Sequence, residues 1–437
     1  MNREITLESL KQYKEKYLKD PVATAARHAL NKSELLDLVH VQEYVPHMFS
    51  IDIKTLPATN QGASGRCWIY SGLNVLREEV AKKCNLEDFE ISQNYVAFYD
   101  KLEKINFFME TVIELKEEDF DDRTLSFILQ GGINDGGQWD MLTAIIEKYG
   151  VVPASVMPDA YMSSHTRSFT SYTNRRLRIF ARDVKANKDN PDKIAQLKEQ
   201  ALEEFYRLCC SCFGVPVEKF DFEYVDKEGN YHCDEGLDPH SFYDKYVGLD
   251  LNEYVSIIHS PTVDKPYYQR YTVKHLGNVT DKPIKHLNVP MEDFKEAVLK
   301  QLKDNKVVWF GADVGKSADR KRGLWDTNDL DLESLLQMDF TMDKENALYT
   351  HESSMNHAMV ITGVNLVNDK PNRWKIENSW GKDSGNKGYY VCSDDWFDLF
   401  VYQAVVHKNY LNEKALKALD TELHELAPWD PMGTLAE

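Results

Sequence analysis

Two periodicities divide this chain, and their order limits the fold more than any other feature. Helical stripes occupy its early part. In Cys67–Lys83, CWIYSGLNVLREEVAKK, Trp68, Leu73, Leu76 and Val80 recur at helical spacing while Arg77, Glu78 and Glu79 are polar. Residues 91–112 and 138–150 follow the same rule, with Gly150 closing the second. Buried strand runs dominate later, after a helix over 291–306. VVWFGADVG (307–315) and HAMVITGVNLV (357–367) are apolar and of strand length, and the turn signal NDKPN joins the latter to RWKIENSW. Helices first and strands afterwards predict an α+β protein.

At 437 residues the chain exceeds what one core usually supports, roughly 250–300 residues, so two or three domains are expected. Residues 1–50 read as helical, with Leu7, Leu10, Tyr13, Tyr17 and Leu18 three and four apart. Residues 161–288, with a charged helix over 190–208, read as an insertion, and a second module starts near Val289. The chain ends in a helix, YLNEKALKALDTELHEL, and a tail, APWDPMGTLAE, that its prolines keep extended.

Composition removes several classes of function. The longest apolar runs are about six residues, whereas a membrane helix needs about 20, so no membrane association is expected. The charged N-terminus lacks the apolar stretch of a signal peptide, which predicts a cytosolic (cytoplasmic) protein. Seven cysteines, at 67, 84, 209, 210, 212, 233 and 392, are odd in number and show no C-x-x-C clip, so neither a disulfide framework nor a metal centre is expected. Net charge is 52 − 71 = −19, which repels phosphate backbones; the short basic cluster Lys316–Arg322 reads as a solvated face, and a nucleic-acid partner is not expected.

One constellation carries chemistry. Cys67 opens a helix behind Gly62, Ala63, Ser64 and Gly65, with Ser64 or Gly65 as the expected cap. A thiol there faces the positive end of the helix dipole, which favours thiolate; it can equally be a small buried hydrophobe. His357 opens a strand, and a hairpin turning near residues 369–370 brings it within about two residues of register of Asn378. Asn378 could then orient one ring nitrogen of a general base, or the pair could be a strand-end histidine beside a turn. Gln61, six positions before the thiol, can give a side-chain N–H to an oxyanion alongside the Cys67 backbone N–H.

The blocks Gln61-Gly62, Cys67-Trp68, Asn356-His357-Ala358 and Asn378-Ser379-Trp380-Gly381 resemble the active-site motifs of papain-like cysteine peptidases, in that family's order. Gly136-Gly137 resembles the glycine pair whose backbone binds an extended substrate. In secreted members a second cysteine precedes the nucleophile; here Ser64 stands in its place, and Asn134 where its partner would be, as suits a reducing compartment. Cys67 and His357 lie 357 − 67 = 290 positions apart, so a large insertion separates the two halves. These features, with MNHAMVITGV, IENSWG and APWDPMG, are similar to the bleomycin hydrolase and bacterial aminopeptidase C branch over essentially the whole chain.

The resemblance implies a papain-like two-domain fold. Its parts would be an N-terminal helical extension (1–50), a left helical domain with the nucleophile (51–160), an insertion used in assembly (161–288), a right barrel-like domain with His357 and Asn378 (289–410), and a C-terminal helix and arm (411–437). It implies Cys67, His357 and Asn378 as catalytic, Gln61 at the oxyanion, Trp380 shielding the imidazole, and no metal or cofactor. It also implies a homohexamer that hydrolyses peptides. The arm would lie in the cleft and offer a terminal carboxylate, from Ala436 if Glu437 is removed, to the free amine of the substrate. Two rivals stand beside this aminopeptidase: an endopeptidase on the same scaffold, and a non-catalytic hexameric protein that binds nucleic acid or peptide.

Overall fold

The computed structural model describes residues 4–42 and 44–434. Two helices lead: α1 (Leu7–Lys19) and α2 (Pro21–Leu30), capped by the side chains of Thr6 and Asp20. Nothing on α1 is buried, and Leu7, Leu10, Tyr13 and Leu18 are exposed.

The helical half follows: α3 (Cys67–Cys84), α4 (Gln93–Glu114), α5 (Arg123–Gly131) and α6 (Trp139–Tyr149). Trp68, Leu73, Leu76 and Val80, the stripe seen in the sequence, join one core with Tyr95, Phe98, Leu142 and Ile145. The cap of α3 differs from expectation. Arg66 holds the N-cap position without a capping side chain, because the Ser64 hydroxyl donates to the Gln61 carbonyl and accepts from Arg66 Nε.

A twelve-stranded sheet forms the other half. Its strands are β1 (Ile51–Asp52), β4 (Tyr254–Ile258), β5 (Arg270–Val273), β6 (His286–Asn288), β7 (Val308–Ala312), β8 (Ala318–Asp319), β9 (Leu324–Trp325), β10 (His357–Val367), β11 (Lys370–Glu377), β12 (Tyr389–Ser393), β13 (Val401–His407) and β14 (Leu423–Leu426). A separate hairpin pairs β2 (Phe220–Val225) with β3 (Tyr231–Leu237). The large sheet runs β14-β5-β6-β4-β13-β7-β10-β11-β12-β9-β8, with β1 on β10. The helix Met291–Lys303 packs Phe294, Val298 and Leu302 into its core beside Phe310, Ile361, Trp374 and Phe397.

Three departures from the sequence reading have physical causes. Residues 161–288 contain the long helices Arg167–Ala186 and Pro191–Phe213, which make a core with α4, but β4, β5 and β6 within that span belong to the main sheet. The sheet therefore begins near Tyr254, upstream of Val289. Those strands are short and set among prolines and polar residues, so no alternation flags them. The C-terminal helix is only Glu413–Ala418; the chain beyond it pairs as β14, parallel to β5, and Arg270 holds the Thr421 carbonyl. Edge pairing here overrides helix propensity. Last, the β10–β11 turn centres on Asn368 and Asp369, both at positive φ, one residue before the expected place.

Candidate active site

Where helices meet sheet, α3 packs on β10 and Trp309 Nε1 donates to the Trp68 carbonyl at 3.3 Å. Cys67, the first residue of α3, is fully buried at this seam. Burial alone fits either reading of the thiol, and its surroundings decide.

His357 begins β10 on the same seam, and its Nε2 meets Asn378 Oδ1 at 2.9 Å. The Ser379 amide also donates to that oxygen, at 2.8 Å. An atom that accepts from a backbone N–H is the carbonyl oxygen of the amide, so Asn378 is oriented without ambiguity and Nε2 must carry the ring proton. The neutral ring thus presents Nδ1 as its basic nitrogen. Trp380 lies 4.8 Å from the imidazole, ring centroid to centroid. Burial pushes the His357 pKa down to about 4, with Asn378 opposing the drop and the nearby charge of Arg320 adding to it. The ring is therefore neutral at ordinary pH.

Gln61 is fixed against the Asn378 segment. Its backbone N–H donates to the Ser379 carbonyl at 2.9 Å, its Oε1 accepts from Ser379 Oγ at 2.6 Å, and Nε2 donates to the Ser64 carbonyl at 2.6 Å. An amide nitrogen carries two hydrogens, so one N–H remains for a ligand. Asn60 and Trp380 form a β-bridge beside it. The hairpin register and this loop thus bring Gln61, His357, Asn378 and Trp380 together at the end of β10 where α3 begins.

The glycine pair lies on the other wall. A Cβ on Gly137 would come within 2.4 Å of the Trp68 ring, so only glycine lets this loop lie so close. The Gly136 carbonyl turns inward and accepts from Lys104 Nζ at 2.6 Å. Lys101 binds the Asn134 carbonyl and pairs with Asp135, whose carboxylate also accepts from the Gly65 amide at 3.0 Å. Burial favours the neutral Asp135, but Lys101 overrides it and holds the pKa well below the usual carboxylate range. A polar bridge thus joins the two loops that a disulfide would otherwise tie. Arg66 adds a second tie, forking onto Asp159 at 3.0 and 2.9 Å.

Nothing in the sequence marks Arg66, Lys101, Lys104 or Asp159 as parts of the site, and the Asn378 block gives Ser379 no role of its own. Ser379 lies inside the ENSW block and could have been suspected there. Buried lysines on an amphipathic helix carry no such signal. The tail enters the same cleft: Met432 is buried, Arg123 sits 3.7 Å over the Trp429 ring, Lys265 binds Asp430 at 2.9 Å, and Gln138 Nε2 donates to the Thr434 carbonyl at 2.9 Å. Ala436 and Glu437 lie outside the described residues.

Among the described residues, one group has the spacing of a metal site: His40, Asp319 and Asp329. Arg322 already supplies the cation there, reaching Asp329 at 2.6 Å and His40 Nδ1 at 2.9 Å and pairing with Asp319. No helix among these residues is long and apolar enough to cross a membrane.

A family model described as "Peptidase C1-like family" matches residues 4–433. The chain belongs to the Peptidase C1-like family. It is an enzyme, a papain-like cysteine peptidase of mixed α and β structure. Among its relatives, aminopeptidase C of Lactobacillus delbrueckii subsp. lactis is 43% identical, over 100% of this chain and 99% of its own length. Aminopeptidase C of Listeria innocua is 43% identical over the full length of both. The crystal structure of PepW from Lactobacillus rhamnosis superposes with a TM-score of 0.97 at 44% identity, covering 100% of each chain.

Proposed function

We propose that the protein is a cytosolic aminopeptidase, removing N-terminal residues from peptides, with its C-terminal arm closing one end of the cleft. The observation that carries this reading is the tail: it is held along its length by Arg123, Lys265 and Gln138, and Gln138 adjoins the substrate-strand glycine Gly137. A segment so placed occupies room that residues before the cut would need. A peptide is then accommodated only with its amine at the arm, and the arm's terminal carboxylate, that of Ala436 if Glu437 is removed, is the group that would receive that ammonium. The relatives named aminopeptidase C, matched from end to end, agree with this specificity.

In the mechanism, His357 Nδ1 takes the thiol proton and the Cys67 thiolate attacks the scissile carbonyl. Proton transfer gives the imidazolium a thiolate counter-charge, which offsets the burial that otherwise keeps it neutral. The tetrahedral oxyanion accepts from the second Gln61 N–H and from the Cys67 backbone amide at the start of the helix. His357 then protonates the leaving amine and later activates the water that frees the acyl-enzyme. Asn378 keeps the ring oriented, and Trp380 covers their hydrogen bond. No metal or cofactor enters these steps. The exposed apolar residues of α1 offer a surface for contact between subunits, and sedimentation tests the homohexamer that the family resemblance implies.

The test uses aminoacyl amides with free and acetylated amines, offered to full-length protein, a variant ending at Met432, and Cys67→Ala. Cleavage of free amines alone, with blocked substrates admitted after truncation, is the expected result. Equal cleavage of blocked peptides by the full-length protein would make it an endopeptidase, and activity in Cys67→Ala would refute the mechanism.

A further inference from the structure

The basic cluster at 316–322 reaches the active site through Arg320, which lies over Trp380. Its other arginine is already engaged: Arg322 binds Asp329 and Asp319. Lys316 pairs with Glu352. Arg320 differs from both. Its guanidinium lies 4.9 Å from the centre of the Trp380 indole, and among the described residues no carboxylate is within ion-pair distance of it. It is exposed, so its charge is open to solvent beside Trp380.

The turn beneath Arg320 is braced from behind. Asp319 Oδ1 accepts from the amides of Lys321 and Arg322 at 3.0 and 2.9 Å, and the Tyr390 hydroxyl reaches the Arg320 carbonyl at 3.3 Å. A cation over a tryptophan face on a fixed turn loses little freedom when it takes a ligand.

Direction along the cleft identifies that ligand. The tail lies beside Gly137, on the side of residues before the cut. His357 gives its proton to the leaving amine, so the leaving residue lies on the His357 side. One residue spans about 3.5 Å, which carries that residue's α-carboxyl group just past the imidazole. His357 and Arg320 lie against one indole, at 4.8 and 4.9 Å from its centre. A chain of net charge −19 would otherwise repel a carboxylate at this mouth.

We propose that Arg320 binds the free α-carboxylate of the leaving residue, so that peptides ending one residue after the cut, dipeptides above all, are preferred substrates. This rests on the peptidase reading and adds the substrate's far end to it.

The test compares leucyl-leucine, leucyl-leucinamide and leucyl-aminomethylcoumarin with wild type, Arg320→Gln and Arg320→Lys. Wild type favours the free acid over the amide, and the preference weakens as salt rises. Arg320→Gln raises KM for the free acid roughly fivefold. The amide and the coumarin substrate, which have no carboxylate to lose, change less than about twofold. Arg320→Lys restores part of the loss. Titration of leucyl-leucine and its amide into Cys67→Ala protein reads the same preference without turnover. Equal losses on acid and amide would assign Arg320 a structural role and overturn the proposal, as would a wild type that does not distinguish them. Failure to cleave the coumarin substrate would refute the aminopeptidase reading instead, and the titration would still decide the carboxylate.

Discussion

Arg77, three turns into the helix that Cys67 opens, donates to Glu377, the residue before Asn378, at 3.0 Å with both side chains buried. Asn74 donates to the same oxygen at 2.9 Å, and Arg77 also holds the Pro57 carbonyl. The ion pair thus ties the helix bearing the nucleophile to the strand bearing the orienting amide. Replacing Arg77 by Met leaves Glu377 buried and unpaired, which costs about 3–5 kcal/mol. Burial already raises the Glu377 pKa, so the loss deepens as pH rises and the group is forced to ionise. Adding Glu377→Gln removes the stranded charge and recovers more than about 1 kcal/mol. Denaturant melts of the single and double variants measure both effects; strictly additive losses would refute the clamp.

Asn378→Ala should separate orientation from binding. It removes the acceptor of His357 Nε2–H but no contact that a substrate would make. We expect kcat to fall roughly tenfold to hundredfold with KM within about twofold. A change confined to KM would contradict the assigned role.

Much of this site was legible because its parts lie in short local blocks. A hairpin turning at NDKPN places His357 within about two residues of register of Asn378, and Trp68, Leu73, Leu76 and Val80 mark the helix that Cys67 opens. What stayed hidden is non-local. Arg77 reads as the polar face of a helix, yet it is buried because a strand 300 positions later carries Glu377. Lys101 and Lys104 look like solvated charges and instead clamp the loop before Gly137. The strands between 254 and 288 escape for the same reason: three to five residues buried by neighbours distant in sequence have no period of their own.

Acid stability follows from buried histidines. His286, enclosed and hydrogen-bonded to Ser256 Oγ at 2.8 Å, has its pKa lowered to about 4 by burial. Below pH 6.5 the unfolded chain takes up a proton that the folded protein refuses, so stability falls as pH drops from about 6.5 to 4. His357, also lowered to about 4, acts in the same direction, while Glu78, raised to about 7 by burial, acts in the opposite one. The difference between wild type and His286→Asn isolates one group. The variant's stability should decline less across that window, by up to about 3 kcal/mol. Parallel pH curves for the two proteins would show that His286 titrates normally.

Gly137→Ala tests the cleft wall itself. The new methyl would stand 2.4 Å from the Trp68 ring, whose Nε1 is pinned to the Asp135 carbonyl at 2.7 Å and whose neighbour is the nucleophile. The ring cannot retreat without breaking that bond, and the loop cannot move without pulling Gln138 from the tail carbonyl it holds. Overpacking of this kind costs about 1–3 kcal/mol. Because the displaced loop is the one expected to bind substrate backbone, KM should rise along with the loss of stability. Gly131→Ala, at a position with open space around the added carbon, is the control and should change neither. If Gly137→Ala melts earlier but keeps its KM, the glycine serves packing against Trp68 alone and the substrate strand lies elsewhere.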